Sequence, residues 1–70
     1  MPTRAEIDAW FTHHPPDEHQ IARYKKIREK AKELAVLITD HTPVCPDQTA
    51  ALRKLRECVM TANAAIACNE

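Results

Sequence analysis

Apolar positions along the chain recur every three or four residues, which predicts helices from end to end. Ile7, Trp10 and Phe11 make one short face. Thr3-Arg4-Ala5-Glu6 precedes it and reads as a capping box, in which hydroxyl and carboxylate satisfy the first free amides of a helix. His13-His14-Pro15-Pro16 stops that helix, because proline lacks a backbone donor and restricts the residue before it. Asp17 restarts the chain as an N-cap, with Gln20 completing a second box. The apolar seam that follows is Tyr24, Ile27, Ala31, Leu34 and Ile38, in steps of 3, 4, 3 and 4. His41-Thr42-Pro43-Val44-Cys45-Pro46 forms a turn, and Pro46 suits the first position of a third helix. There the seam is Leu52, Leu55, Val59, Ala62 and Ile66, with the same steps. Two matched seams across a short turn make an αα-hairpin. The expected fold is all-α: a short N-terminal helix plus two long antiparallel helices, at about residues 4–12, 17–40 and 46–68 of a single domain 1–70.

Each long helix carries further apolar residues off its seam. Helix two adds Ile21, Ala35 and Leu37, and helix three adds Ala51, Cys58 and Ala65, small residues spaced by seven. A hairpin cannot bury such lines inside itself. Trp10 and Phe11 are expected to cover one of them, and another copy of the chain the other. Length points the same way, since a 70-residue chain builds only a marginal core of its own. The expectation is a homo-oligomer.

Composition narrows the function. Ten basic residues balance ten acidic ones, so the chain lacks the basic excess that a protein tracking a DNA or RNA polymer needs. A ligand with two or three phosphates needs only a local cluster. The absence of glycine excludes P-loops and dinucleotide fingerprints. No apolar run approaches the roughly 20 residues of a membrane span. The three cysteines, Cys45, Cys58 and Cys68, form no disulfide framework and read as reduced thiols in a cytosol. His13, His14 and His19 lack metal-ligand spacing, so neither a metal nor another cofactor is expected. No nucleophile, base and orienter stand together in any motif, so an enzyme is not expected.

Two clusters remain. Lys25, Arg28 and Lys32 share one flank of helix two. A charged stripe of this kind is usually a solvated face, and that is the reading for Lys25 and Lys32 taken alone. Arg28 borders the apolar stripe beside Ile21 and Ala35, where a guanidinium suits a planar anion. Phe11, His13, His14 and Tyr24 supply flat rings ahead of and just inside the same helix, as base stacking requires. Phe11 also fits a plain core position. Asn63 lies beside the helix-three seam on the flank of Arg56 and Met60, where its amide serves either an interface hydrogen bond or a base or phosphate contact.

Together these residues carry a resemblance. Phe11-x-x-His14-x-Pro16-x-Glu18-x-Gln20-x-x-x-Tyr24-x-x-Ile27-Arg28-x-x-Ala31-x-x-Leu34-Ala35, then Ala51-Leu52-x-x-Leu55, then Val59-Met60-x-Ala62-Asn63-Ala64-x-Ile66-Ala67, resembles the small phage proteins of the anti-CBASS type 2 family. That resemblance implies a sponge acting in the cytoplasm of an infected bacterial host. Such proteins bind the cyclic di- and trinucleotide messengers of a bacterial immune system without cleaving them. It further implies a hexamer of helical hairpins with ligand pockets between protomers. The phosphate-pairing residue would fall on Arg28 and the stacking residue on His13; the chemistry of the neighbouring residues adds Lys25 or Lys32 as further charge and Phe11, His14, Tyr24 and Asn63 as further candidate ligand contacts. The chain departs from the family pattern at His13, where the family has "Phe-x-Tyr-His", at Thr61, in a tryptophan position, and at Cys68, in an arginine position. The rival reading is a small helical protein-interaction module, such as an inhibitor of a host protein. A hydrolase of the same messengers is a third.

Overall fold

The computed structural model describes residues 1–70 as three helices, α1 (Arg4–Phe11), α2 (Glu18–His41) and α3 (Pro46–Asn69), without strands. Capping chemistry sets the boundaries. The Asp17 side chain accepts from the Gln20 amide at 2.8 Å, while the Gln20 side chain accepts from the Asp17 amide at 3.1 Å, so this box is reciprocal. At Thr3 only half of the expected box forms: its hydroxyl accepts from the Glu6 amide at 3.1 Å, and the Glu6 carboxylate does not return the bond. α1 closes at Phe11, where the backbone of Thr12 turns extended ahead of the two prolines.

The C-terminus of α2 needs another solution. A helix end leaves carbonyls without partners, and glycine in a left-handed conformation often caps them. This chain has no glycine and no residue with positive φ. Side chains take over. The Thr42 hydroxyl donates to the Ile38 carbonyl at 2.6 Å, while the Thr39 hydroxyl and the His41 ring add bonds at 2.9 and 3.0 Å to the Ala35 and Leu37 carbonyls, which already belong to the helical ladder. Gln48, one turn into α3, donates to the Thr39 carbonyl at 3.3 Å and to the Thr42 carbonyl and hydroxyl at 3.2 and 3.1 Å. One amide therefore latches the start of α3 to the end of α2. Gln48→Ala should destabilise the hairpin by about 1–2 kcal/mol, since those bonds are only partly replaced by water. Urea unfolding at fixed protein concentration would read this, and an unchanged midpoint would deny the latch a stabilising role.

The opposite end of the hairpin is closed by an ion pair. Arg23 grips Glu70 bidentately, with Nη1 donating to Oε2 at 2.6 Å and Nη2 to Oε1, while Gln20 Nε2 donates to the same carboxylate at 3.3 Å. These hydrogen bonds hold the Glu70 carboxyl below the usual carboxylate range and raise Arg23. A depressed carboxylate contributes stability above its unfolded value, and that contribution is lost as pH falls through the folded value. The stability difference between the parent and Glu70→Gln should therefore be constant near neutrality and shrink below about pH 4.3. A difference that persisted at lower pH would mean the pair adds nothing.

α2 and α3 pack antiparallel along their seams. Tyr24, Ile27, Ala31 and Ile38 are half-buried, as are Leu52, Leu55, Val59, Ala62 and Ile66. One seam position differs from the sequence expectation: Leu34 is 44% exposed, and Ala35 lies in its place. At about 100° per residue Leu34 and Ala35 lie on opposite borders of this stripe, so which of the two is covered depends on how α3 sits against it. The expected second line of Ile21, Ala35 and Leu37 does not exist as one face. Residues two apart are about 200° apart on a helix, so Leu37 stands opposite Ala35, 53% exposed.

α1 packs against α3 and leaves its aromatics outside. Ala9 is its half-buried residue, whereas Trp10 is 51% and Phe11 85% exposed. The expectation that these two rings cover an apolar line, and that Phe11 belongs to a core, is therefore overturned. Trp10 follows Ala9 by about 100° of helix rotation and Phe11 by about 200°, so neither ring shares the half-buried face that Ala9 marks.

No residue of the chain is buried. The molecule measures 43 × 32 × 12 Å, and its thin dimension is the diameter of one helix. It is a single layer of helices, whereas a stable core needs two. Its radius of gyration is 15.1 Å against about 11 Å for a compact chain of this length. Its accessible surface is 6060 Å² against about 4,450 Å² for a compact monomer of this mass.

Candidate ligand site

Both broad faces of the layer carry an open apolar groove along the α2–α3 seam. One, of about 410 Å³, is lined by Ile27, Ala31, Leu34, Leu55, Cys58, Val59 and Ala62, with Lys26 and Lys30 at its rim. The other, of about 280 Å³, is lined by Ala31, Ala35, Leu52, Leu55, Val59 and Met60, with Lys32 and Arg56 at its rim. Ala31, Leu55 and Val59 are shared, so the same seam is reached from either side.

The basic flank of α2 lies on the second of these faces. Projection at about 100° per residue places Arg28 one turn before Lys32, two turns before Ala35 and one turn after Tyr24. Arg28 is exposed and has no carboxylate partner. Lys32 is also unpaired, whereas Lys25 lies 4.0 Å from Glu29. The like charges of Arg28 and Lys32 at i, i+4 disfavour the helix slightly; Glu29 stands one turn before Lys32, whereas Arg28 has no carboxylate three or four residues away on α2. Arg56 adds a third unpaired cation from α3 across the groove. Sequence reasoning set Arg56 beside Asn63 and did not count it as a site residue. The signal was present in its flank position, but only the antiparallel register shows that this flank faces Lys32. Asn63 is half-buried on the same flank, and its Oδ1 is a buried oxygen with no hydrogen-bond donor. A buried acceptor without a partner is unfavourable by about 1–3 kcal/mol, which makes it a place where an added donor gains free energy.

The ring-bearing residues stand elsewhere. Phe11, His13 and His14 lie in the connection from α1 to α2, exposed. The His14 Nε2 is 2.9 Å from the Ala9 carbonyl oxygen, so this ring caps the end of α1. No hydrogen bond involves the side chain of His13 or ties this connection to Arg28. Arg28 lies eleven residues into the helix from Asp17, about 16 Å along its axis. Tyr24 is half-buried on the seam between them. Within one chain, helical projection sets Tyr24, Arg28 and Lys32 along one flank of α2, while Asn63 stands on α3 and Phe11, His13 and His14 precede the start of α2.

The arrangement suits anion binding. It offers guanidinium and ammonium groups beside an apolar floor, and an amide oxygen in need of a donor. The cysteines are free, and no three histidine, cysteine or carboxylate side chains converge as metal ligands. No helix is long and apolar enough to cross a membrane.

No curated protein and no solved structure matches the chain. Residues 3–67 match the family described as Acb2/Tad1, hairpin domain. That span takes in all of α1 and α2, the Gln48 latch and the seam of α3 through Ile66. A single-layer hairpin with an unpaired basic flank, matched along nearly its whole length, belongs to the Acb2/Tad1 hairpin-domain family, the anti-CBASS type 2 family, whose role is tied to cyclic nucleotide signals.

Proposed function

We propose that this protein sequesters cyclic dinucleotide, and through a second pocket class cyclic trinucleotide, immune messengers without cleaving them, as a phage counter-defence protein in the cytoplasm of the infected host. The family match carries the reading. The unpaired cations Arg28 and Lys32 on α2 and Arg56 across the groove on α3 support it chemically, because binding a phosphodiester needs charge and geometry rather than an acid or a base.

The ligand site is assembled between protomers. Phe11 and His13 precede the start of α2, whereas Arg28 stands about 16 Å along its axis from Asp17, and the two sets would meet one small ligand where two chains bring them together. In that arrangement Arg28 pairs with a phosphate, Lys25 and Lys32 add charge, and Tyr24 and the rings of Phe11, His13 and His14 stack on bases. Asn63 Oδ1 accepts from a base or from the neighbouring chain. The single layer of helices is the second support for assembly, and a hexamer is the form that the family resemblance implies.

The test is recovery. The protein is titrated calorimetrically with a panel of cyclic di- and trinucleotides, incubated at saturation for hours, then heat-denatured, and the released nucleotide is chromatographed. Sequestration requires saturable binding and recovery of intact cyclic ligand. Linear products would make the protein a hydrolase. Absence of binding to every member of the panel would favour the protein-interaction module.

A further inference from the structure

A network of side chains outside the basic flank ties the ring-bearing connection to the far end of the hairpin. Gln20 sits at its centre and uses both halves of its amide. Its Oε1 accepts from the Asp17 backbone amide at 3.1 Å, which fixes the first turn of α2. Its Nε2 donates to Glu70 Oε1 at 3.3 Å. Glu70 is in turn held by the Arg23 fork, with Nη1 to Oε2 at 2.6 Å. On the other side of the connection, His14 bonds to the Ala9 carbonyl at 2.9 Å. The segment from Thr12 to Pro16 is thus fastened at one end to α1 and at the other, through Gln20, to the last residue of the α2–α3 pair.

We infer that Glu70 is a positioning residue for ligand binding: by holding the Gln20 amide it fixes the angle at which the His13–Pro16 connection leaves the hairpin. The inference rests on the reading that this connection stacks on a cyclic nucleotide. Its physical basis is preorganisation. A loop ordered before the ligand arrives does not lose that freedom on binding, and affinity rises accordingly. An exposed ion pair alone is a weak device, but bidentate arginine geometry is the exception, and here the carboxylate accepts a third bond as well. The side chain at position 20 has two tasks that only a carboxamide performs together. Glutamate would complete the capping box but could not donate to Glu70.

Two substitutions at one position separate positioning from stability. Glu70→Ala removes both the ion pair and the acceptor for Gln20. Glu70→Gln weakens the pair but keeps a carbonyl oxygen for Gln20 Nε2. Calorimetry with cyclic GMP–AMP, cyclic di-AMP and cyclic di-GMP, well below the melting transition, should show Glu70→Ala binding roughly 3- to 10-fold more weakly. Glu70→Gln should recover most of that loss, although both variants melt below the parent. Amide exchange at Asp17 should quicken in Glu70→Ala and not in Glu70→Gln. Parental affinity in Glu70→Ala would overturn the inference, as would losses that follow the melting shift equally in both variants. If the parent itself binds none of the three nucleotides, it is the binding reading that falls.

Discussion

Arg28→Ala should weaken cyclic dinucleotide binding roughly 10- to 150-fold, which corresponds to about 1.5–3 kcal/mol for a hydrogen bond to a charged group. Helix content should hardly change. Arg28 makes no ion pair and no hydrogen bond within the chain, so its removal deletes no intramolecular contact of that kind. Truncation also relieves the repulsion with Lys32 one turn on. A residue that does little for its own fold and stands beside an apolar groove is a good candidate for an external anion. Arg28→Lys should regain only part of the loss, because an ammonium is a point charge and cannot reproduce a bidentate fork. Arg56→Ala offers an internal comparison, since it removes a cation from the opposite wall of the same groove. Calorimetry on all three variants decides the matter. If Arg28→Ala binds as the parent does while Lys25→Ala or Lys32→Ala fails to bind, the roles along this flank are exchanged. If every variant binds normally, the phosphate site lies off α2.

Most of the secondary structure was legible because it depends on local chemistry. Asp17 and Gln20 announce a helix start by side-chain length alone, and Pro46 announces another by its fixed φ. The seams were legible because periodicity survives without knowledge of the partner, with one slip at Leu34. What failed was the cover assigned to α1 and the grouping of the second apolar line of α2. Trp10 and Phe11 look like core residues from composition, yet they stand outside, because the half-buried face of α1 is the one that carries Ala9. Leu37 looked like part of an interface with Ile21 because both are apolar, though the helix turns them to opposite sides. For the site, the flank of Arg28 and Lys32 could be read from spacing within one helix. Arg56 could not, since its approach to Lys32 depends on the register of two helices 24 residues long. The Gln20–Glu70–Arg23 network spans 50 residues, and nothing in local sequence pairs a final glutamate with the start of α2.

Introducing a charge into the larger groove should abolish self-association. The parent is expected in light scattering at a multiple of its 8.0 kDa chain mass. The expectation follows from dimensions. A layer 12 Å thick with no buried residue exposes about 1,600 Å² more than a compact monomer would. A standard interface covers about 800 Å² on each partner, so the excess is enough for two such faces. Two grooves open on opposite faces of one seam, which gives each face an apolar strip to cover. Cys58 is the position to probe. It lines the larger groove and is exposed, so a side chain placed there does not disturb the α2–α3 seam itself. Cys58→Ala should leave the mass unchanged, because a small apolar residue replaces another. Cys58→Arg sets a third cation beside Lys26 and Lys30 in a surface meant to be covered, where desolvation without a counter-ion costs several kcal/mol. Its mass should fall to a single chain. Because the free layer has no core, its helicity should fall with dilution as well. Ala65→Trp, one heptad further along the same line, should act in the same direction by bulk rather than charge. A helical parent at 8.0 kDa, or both variants at the parental mass, would show that a foreign chain rather than a second copy covers these grooves, or that nothing does.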